Sequence, residues 1–164
     1  MIIPNIITLS NLLLGILSLL YTMNQQYQTA AILILAAVFL DGMDGRIARR
    51  LNVETNFGKE LDSLCDLVSF GVAPALLVYD KYLQEIGFFG LLIALSFALC
   101  GAVRLARFNV MNIKTYFIGV PITIAGGIMA ITILLSSILP AFIFPYLTVS
   151  LAYLMVSNFK IPKF

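Results

Sequence analysis

The feature that most constrains this chain is a succession of apolar stretches, each about as long as a bilayer is thick, with almost nothing between them. A helix needs about 20 mostly apolar residues to cross the hydrocarbon core. Such runs lie near 3–23, 29–48, 57–79, 84–109, 117–138 and 141–159. The connections are as short as "NQQYQ", "RLNVETN", "DKYLQ", "MNIKTY" and "LPA". In lipid, backbone polar groups must be satisfied within the spanning element, so runs of this length read as helices. The expected fold is an all-α integral membrane bundle of six transmembrane helices, a single domain over 1–164 with no room for a soluble one. A hydrophobic content of 61% and a mean hydropathy of +1.02 agree, since a soluble domain is about half apolar.

Charges are scarce, at 11% of residues, so where they fall is informative. The net charge of +2 is too small to point to nucleic acid. Arg46, Arg49, Arg50 and Lys59 flank the second connection, Arg104, Arg107 and Lys114 end the fourth run, and Lys160 and Lys163 follow the sixth. All of these fall on one side of the bundle and only Lys81 on the other, so both termini are expected in the cytoplasm. The opening "PNIITLSNLLLG" lacks a basic leader and reads as a retained helix rather than a cleaved signal peptide. Cys65 and Cys100 lie inside apolar stretches and read as buried, inert thiols.

Against this background four aspartates stand out. Asp41 and Asp44 are three apart near the end of the second run, and Asp62 and Asp66 are four apart at the start of the third. Each spacing puts a pair on one helix face. A short connection makes the two helices antiparallel neighbours, so the four carboxylates can converge on the cytoplasmic side. One Asp at a helix centre costs roughly 2.5–3.5 kcal/mol on insertion scales, and converging anions also repel. Protonation or arginine pairing would relieve this. Two divalent cations would cancel four carboxylates outright. The chain has no histidine, and an all-oxygen set suits magnesium, manganese or calcium rather than zinc or copper. Paired metals recur where a group is displaced at phosphorus. Gly45 and Gly58 could let a substrate approach the backbone, or merely let helices pack closely. Arg49 could hold a phosphate or act as a positive-inside anchor.

Written as a pattern, the stretch is D-x2-D-G-x2-A-R-x8-G-x3-D-x3-D, from Asp41 to Asp66. It closely resembles the signature of the CDP-alcohol phosphotransferase family at every fixed position. The resemblance implies six transmembrane helices, a homodimer, and transfer of a phosphatidyl-type group from a CDP-linked lipid to an alcohol with release of CMP. It implies two divalent cations, Mg2+ or Mn2+, held by Asp41, Asp44, Asp62 and Asp66, with Asp66 also the general base. It implies contacts to the CDP moiety from Gly45, Arg49, Gly58 and Thr55. The "IPNIITLSN" opening is similar to the family's first helix, which adds Asn5 and Thr8.

Three further stretches, "DSLCDLVSFGVAPALLVY", "LCGAVRLARFNV" and "YFIGVPITIAGG", resemble the phosphatidylserine synthase branch of that family. The acceptor implied is L-serine, the lipid donor CDP-diacylglycerol or an ether-lipid analogue. Serine carries a carboxylate that inositol phosphate and glycerol phosphate lack. Arg104 and Arg107, three apart, offer an arginine fork for it, with Asn109 and the Gly119–Pro121 corner nearby. Inositol phosphate or glycerol phosphate remains the alternative acceptor, since Arg104, Arg107 and Lys114 could also receive a phosphate. Two rivals lie outside the family. An ion- or proton-coupled transporter could use intramembrane carboxylates, but these crowd one side and no internal repeat is visible. A structural scaffold could pair its aspartates with Arg46, Arg49 and Arg50.

Overall fold

A computed structural model describes residues 2–51, 55–111 and 116–162; the side chains at 2–4, 44, 45, 47–51, 116, 117, 161 and 162 lie outside that description. Six helical runs follow one another: α1 (Ile2–Met23), α2 (Tyr27–Leu51), α3 (Asn56–Ile86), α4 (Phe88–Met111), α5 (Ile122–Leu134) and α6 (Ile143–Val156). Two short strands, β1 (Tyr116–Ile118) and β2 (Lys160–Pro162), pair antiparallel and tie the approach to α5 to the segment after α6. The chain is a membrane protein. The 5–23 part of α1, α3 and α4 are each long and apolar enough to span a bilayer. Large apolar side chains such as Leu9, Leu13, Phe39, Leu99 and Val110 face outward.

α1 shows how the sequence chooses its faces. Thr8, Asn11, Gly15, Ser18 and Thr22, spaced three and four apart, are buried, while Ile6, Leu9, Leu13, Ile16 and Leu20 are exposed. This inverts the pattern of a soluble protein. With lipid outside, helices associate through small and polar residues that allow close approach. Ser18 Oγ donates to the Ala30 carbonyl of α2 at 2.9 Å. A Cβ on Gly15 would sit 2.8 Å from Ser69 Cα of α3, so only glycine fits there.

The central element is α3. It is α-helical over Asn56–Asp66, widens to a π-helix over Leu67–Val72, returns to α over Ala73–Val78, and ends in π and 3-10 turns. The first wide segment is gripped from both sides, by Gly15 of α1 and by Gly126 of α5, where a Cβ would lie 2.7 Å from the Phe70 carbonyl oxygen. The apolar core around it includes Phe70, Leu77, Phe97, Met129 and Phe144.

Several expected boundaries move. "DKYLQ" is a continuation of α3 rather than a connection, and the chain turns instead at Gly87, with φ 72°. Its polar groups find partners without leaving the helix. Tyr27 Oη donates to Asp80 Oδ2 at 2.8 Å, and Lys81 Nζ donates to Ser136 Oγ at 2.8 Å while lying over the Tyr27 and Tyr82 rings. α4 therefore starts at 88 rather than 84. α5 starts at 122 rather than 117, because Gly119 (φ 72°) and Pro121 cannot continue a helix. α5 and α6 have 13 and 14 residues, shorter than the runs expected over 117–138 and 141–159.

Candidate active site

Asp41 near the end of the apolar part of α2, and Asp62 and Asp66 on the first turns of α3, bring one carboxylate oxygen each to within 4.8 Å of one another. Asp41 and Asp62 are half-buried, and Asp66 is 8% exposed. Asp62 and Asp66, four apart, share one face of α3, and the bundle brings Asp41 of α2 close to them. Asp44, Gly45 and Arg49 follow on α2, and their surroundings lie outside the described residues, as does Lys114.

Asp41 and Asp66 each accept a hydrogen bond from a neighbouring helix. Thr123, in the first turn of α5, donates through Oγ1 to Asp41 Oδ2 at 3.3 Å. Asn11 of α1 donates through Nδ2 to Asp66 Oδ1 at 3.3 Å. Arg104 of α4 is buried, at 8% exposure, and its charge attracts that of Asp66. Five helices, α1 to α5, thus contribute to the surroundings of Asp66 and the pair beside it.

The donor set fits a metal ion. All three are carboxylates, the ligands that hard divalent cations prefer. Oxygens about 2.1–2.5 Å from a common ion stand up to roughly 4–5 Å apart, so a cluster within 4.8 Å needs little adjustment. Three carboxylates gathered on half-buried and buried side chains favour a counter-charge or a shared proton, and Arg104 supplies one such charge. The Asp41–Asp62–Asp66 group can therefore hold a divalent metal.

A second group of expected residues comes together at the entrance of α3. Thr55 is the N-cap, its hydroxyl accepting the Gly58 N–H at 3.0 Å. A Cβ on Gly58 would lie 3.1 Å from Thr55 Oγ1 and 3.5 Å from Asn5 Oδ1. Asn5, Thr55 and Gly58 are thus neighbours, and Thr8 lies one turn further along α1, buried at 4% exposure. Among the described residues, only the Thr55 and Asn5 side-chain oxygens lie within 4 Å of a Cβ placed on Gly58.

The expected acceptor residues do not all gather. Arg104 turns into the bundle toward Asp66. Arg107, one turn on, is exposed and donates through Nη1 to the Val156 carbonyl at 3.0 Å, capping the end of α6. Asn109 donates to Ser63 Oγ at 3.0 Å and to Glu60 Oε2 at 3.4 Å, joining α4 to α3. The Gly119–Pro121 corner docks on the end of α6, with Val120 N–H donating to the Leu154 carbonyl at 3.2 Å.

Sequence reasoning missed Asn11, Ser69 and Thr123. Asn11 had a legible signal, an amide in the middle of an apolar run on the same stripe as Asn5 and Thr8. Ser69 and Thr123 had none, because an isolated hydroxyl in a membrane helix commonly bonds to its own backbone.

The comparisons with known proteins agree with this geometry. A family model described as CDP-alcohol phosphatidyltransferase matches residues 1–156. A CDP-diacylglycerol–serine O-phosphatidyltransferase of Bacillus subtilis is 41% identical over 99% of this chain and 90% of its own length. A Methanocaldococcus jannaschii protein of the same name is 38% identical over 99% of this chain and 74% of its own. An archaetidylserine synthase of Methanothermobacter thermautotrophicus is 35% identical over 98% of this chain and 69% of its own.

Proposed function

The chain belongs to the CDP-alcohol phosphatidyltransferase family, and from that premise we propose that it transfers the phosphatidyl group of CDP-diacylglycerol, or of an ether-lipid analogue, to the hydroxyl of L-serine. The products are phosphatidylserine, or its ether counterpart, and CMP. The observation that carries this reading is the convergence of Asp41, Asp62 and Asp66 within 4.8 Å, in a chain similar over nearly its whole length to serine-transferring relatives. The archaetidylserine synthase among those relatives supports the ether-lipid option.

Asp41, Asp44, Asp62 and Asp66 hold two divalent cations, Mg2+ or Mn2+. Bound there, the cations supply neutralisation of the pyrophosphate and of the leaving nucleotide. Asn5, Thr8, Thr55 and Gly58, with Gly45 and Arg49, receive the CDP moiety. Arg104 receives the serine carboxylate, a role that its buried guanidinium and its nearness to Asp66 support. Arg107 and Asn109 fix α4, which carries Arg104, against α6 and α3.

Asp66 accepts the serine hydroxyl proton, because an unaided hydroxyl is a poor nucleophile at pH 7. The serine Oγ–phosphorus bond forms as the phosphorus–oxygen bond to CMP breaks, and CMP leaves with the electron pair. Attack is direct and in line, the competing route being a covalent phosphatidyl-enzyme. The whole of 1–164 acts as one membrane domain. Both termini and the site face the cytoplasm, as the basic residues around α2, α4 and α6 support. The working unit is a homodimer.

Labelled serine tests the reading. Purified protein in detergent, given CDP-diacylglycerol and Mg2+ or Mn2+, should move label into an organic-extractable lipid. Label confined to the aqueous phase, with lipid product formed from inositol phosphate or glycerol phosphate instead, would overturn the choice of serine.

A further inference from the structure

Among the described residues, two buried side-chain polar atoms have no hydrogen-bond partner, Asn11 Oδ1 and Arg104 Nε. Both belong to side chains that face Asp66. Asn11 is 1% exposed, and its other amide atom, Nδ2, donates to Asp66 Oδ1 at 3.3 Å. An amide that merely glued two membrane helices together would be served on both ends, or replaced by an apolar residue that packs as well. A half-satisfied amide inside a bilayer span calls for another explanation.

Asn11 is itself held. Ser69 Oγ donates to the Asn11 carbonyl at 3.0 Å, from one turn beyond Asp66 on α3. Gly15, one turn beyond Asn11 on α1, lets the Ser69 backbone approach so closely that a Cβ would clash. The two helices are therefore locked in depth at the level of Asp66. The groups facing Asp66 are Asp41 from α2, Asp62 from its own helix, Arg104 from α4 and Asn11 from α1. Of these, only Asn11 donates a described hydrogen bond to the carboxylate. Asn11 Oδ1 is buried, so a bound acceptor would not meet it without rearrangement.

We propose that Asn11 is the positioning residue of Asp66. Its amide N–H fixes one carboxylate oxygen, so that the other is the one presented to the acceptor hydroxyl. This rests on the reading of Asp66 as the base for transfer to serine. Losing the hydrogen bond leaves the carboxylate free to rotate about its side-chain bonds, and misplacement by about 1 Å can cost roughly a hundredfold in rate.

The test compares wild type, Asn11→Leu, Asn11→Gln and Asp66→Asn in detergent, scoring CMP release with serine, KM for each substrate and thermal unfolding. Asn11→Leu should lower kcat about a hundredfold, with both KM values within about threefold and the unfolding temperature unchanged or raised. Asn11→Gln, which keeps an amide donor, should recover part of kcat. If Asn11→Leu does not fold, Asn11→Ser carries the same kcat-against-KM comparison. Wild-type kcat in a folded Asn11→Leu or Asn11→Ser protein overturns the proposal, as does a rise in serine KM with kcat unchanged. A fall in unfolding temperature with kcat of the folded fraction preserved assigns Asn11 a structural role and overturns it too. If wild type releases no CMP with serine, the proposed function fails first, and that outcome is distinct from all of these.

Discussion

A carboxylate inside a membrane helix is costly unless a proton or an opposite charge answers it, and three of them within 4.8 Å are answered together. This gives opposite signs for metal binding and metal-free stability. Asp62→Asn should weaken Mn2+ binding at least tenfold in a paramagnetic titration. In EDTA the same variant should unfold at a higher temperature than wild type, because one of three repelling charges is gone. Unchanged Mn2+ affinity would remove Asp62 from the ligand set. The two arginines separate in the same way. Arg104→Ala removes a buried charge and should raise serine KM by roughly tenfold or more. Arg107→Ala should leave serine KM within about twofold and lower stability by about 1 kcal/mol through the lost bond to Val156. The aspartates were legible in the sequence because carboxylates in apolar runs are rare and their spacing fixes a face. The divergence of Arg104 and Arg107 was not. A spacing of three puts both on one face, but long side chains follow whatever partner is near.

At the scale of elements, the bundle is held by backbone approach as much as by side chains. Gly15→Ala would push a methyl into Ser69 of the wide segment of α3, and such overpacking costs typically about 1–3 kcal/mol. Gly127→Ala is the control, since its Cβ would make ordinary contact with Val38 Cγ2 at 3.6 Å. Thermal unfolding in detergent should separate them, Gly15→Ala melting several degrees lower and Gly127→Ala close to wild type. Equal melting would show that α1 and α3 can separate freely. The number and order of helices could be read from apolar run lengths. The course of α3 could not, since π segments are rare inside α-helices and nothing local in "LVSFGV" announces one. The ribbon of β1 and β2 joins segments far apart in sequence, so no local pattern could reveal it.

For the molecule as a whole, orientation follows from where its cations lie. In a background with Cys65 and Cys100 replaced by alanine, a cysteine at exposed Asn158 should react with a membrane-impermeant maleimide only from the cytoplasmic side. One at exposed Glu85, at the far end of α3, should react only from the opposite side. The reverse labelling would place the carboxylates away from cytoplasmic nucleotide and contradict the proposed chemistry. The most direct test is CMP release by the purified protein from CDP-diacylglycerol, with serine, inositol phosphate, glycerol phosphate or no acceptor, each with Mg2+, Mn2+ or EDTA. Among the acceptors, only serine should give release, and EDTA should abolish it. Release with another alcohol and not serine would contradict the acceptor assignment, and release that persists in EDTA would contradict the metal-holding role of Asp41, Asp62 and Asp66.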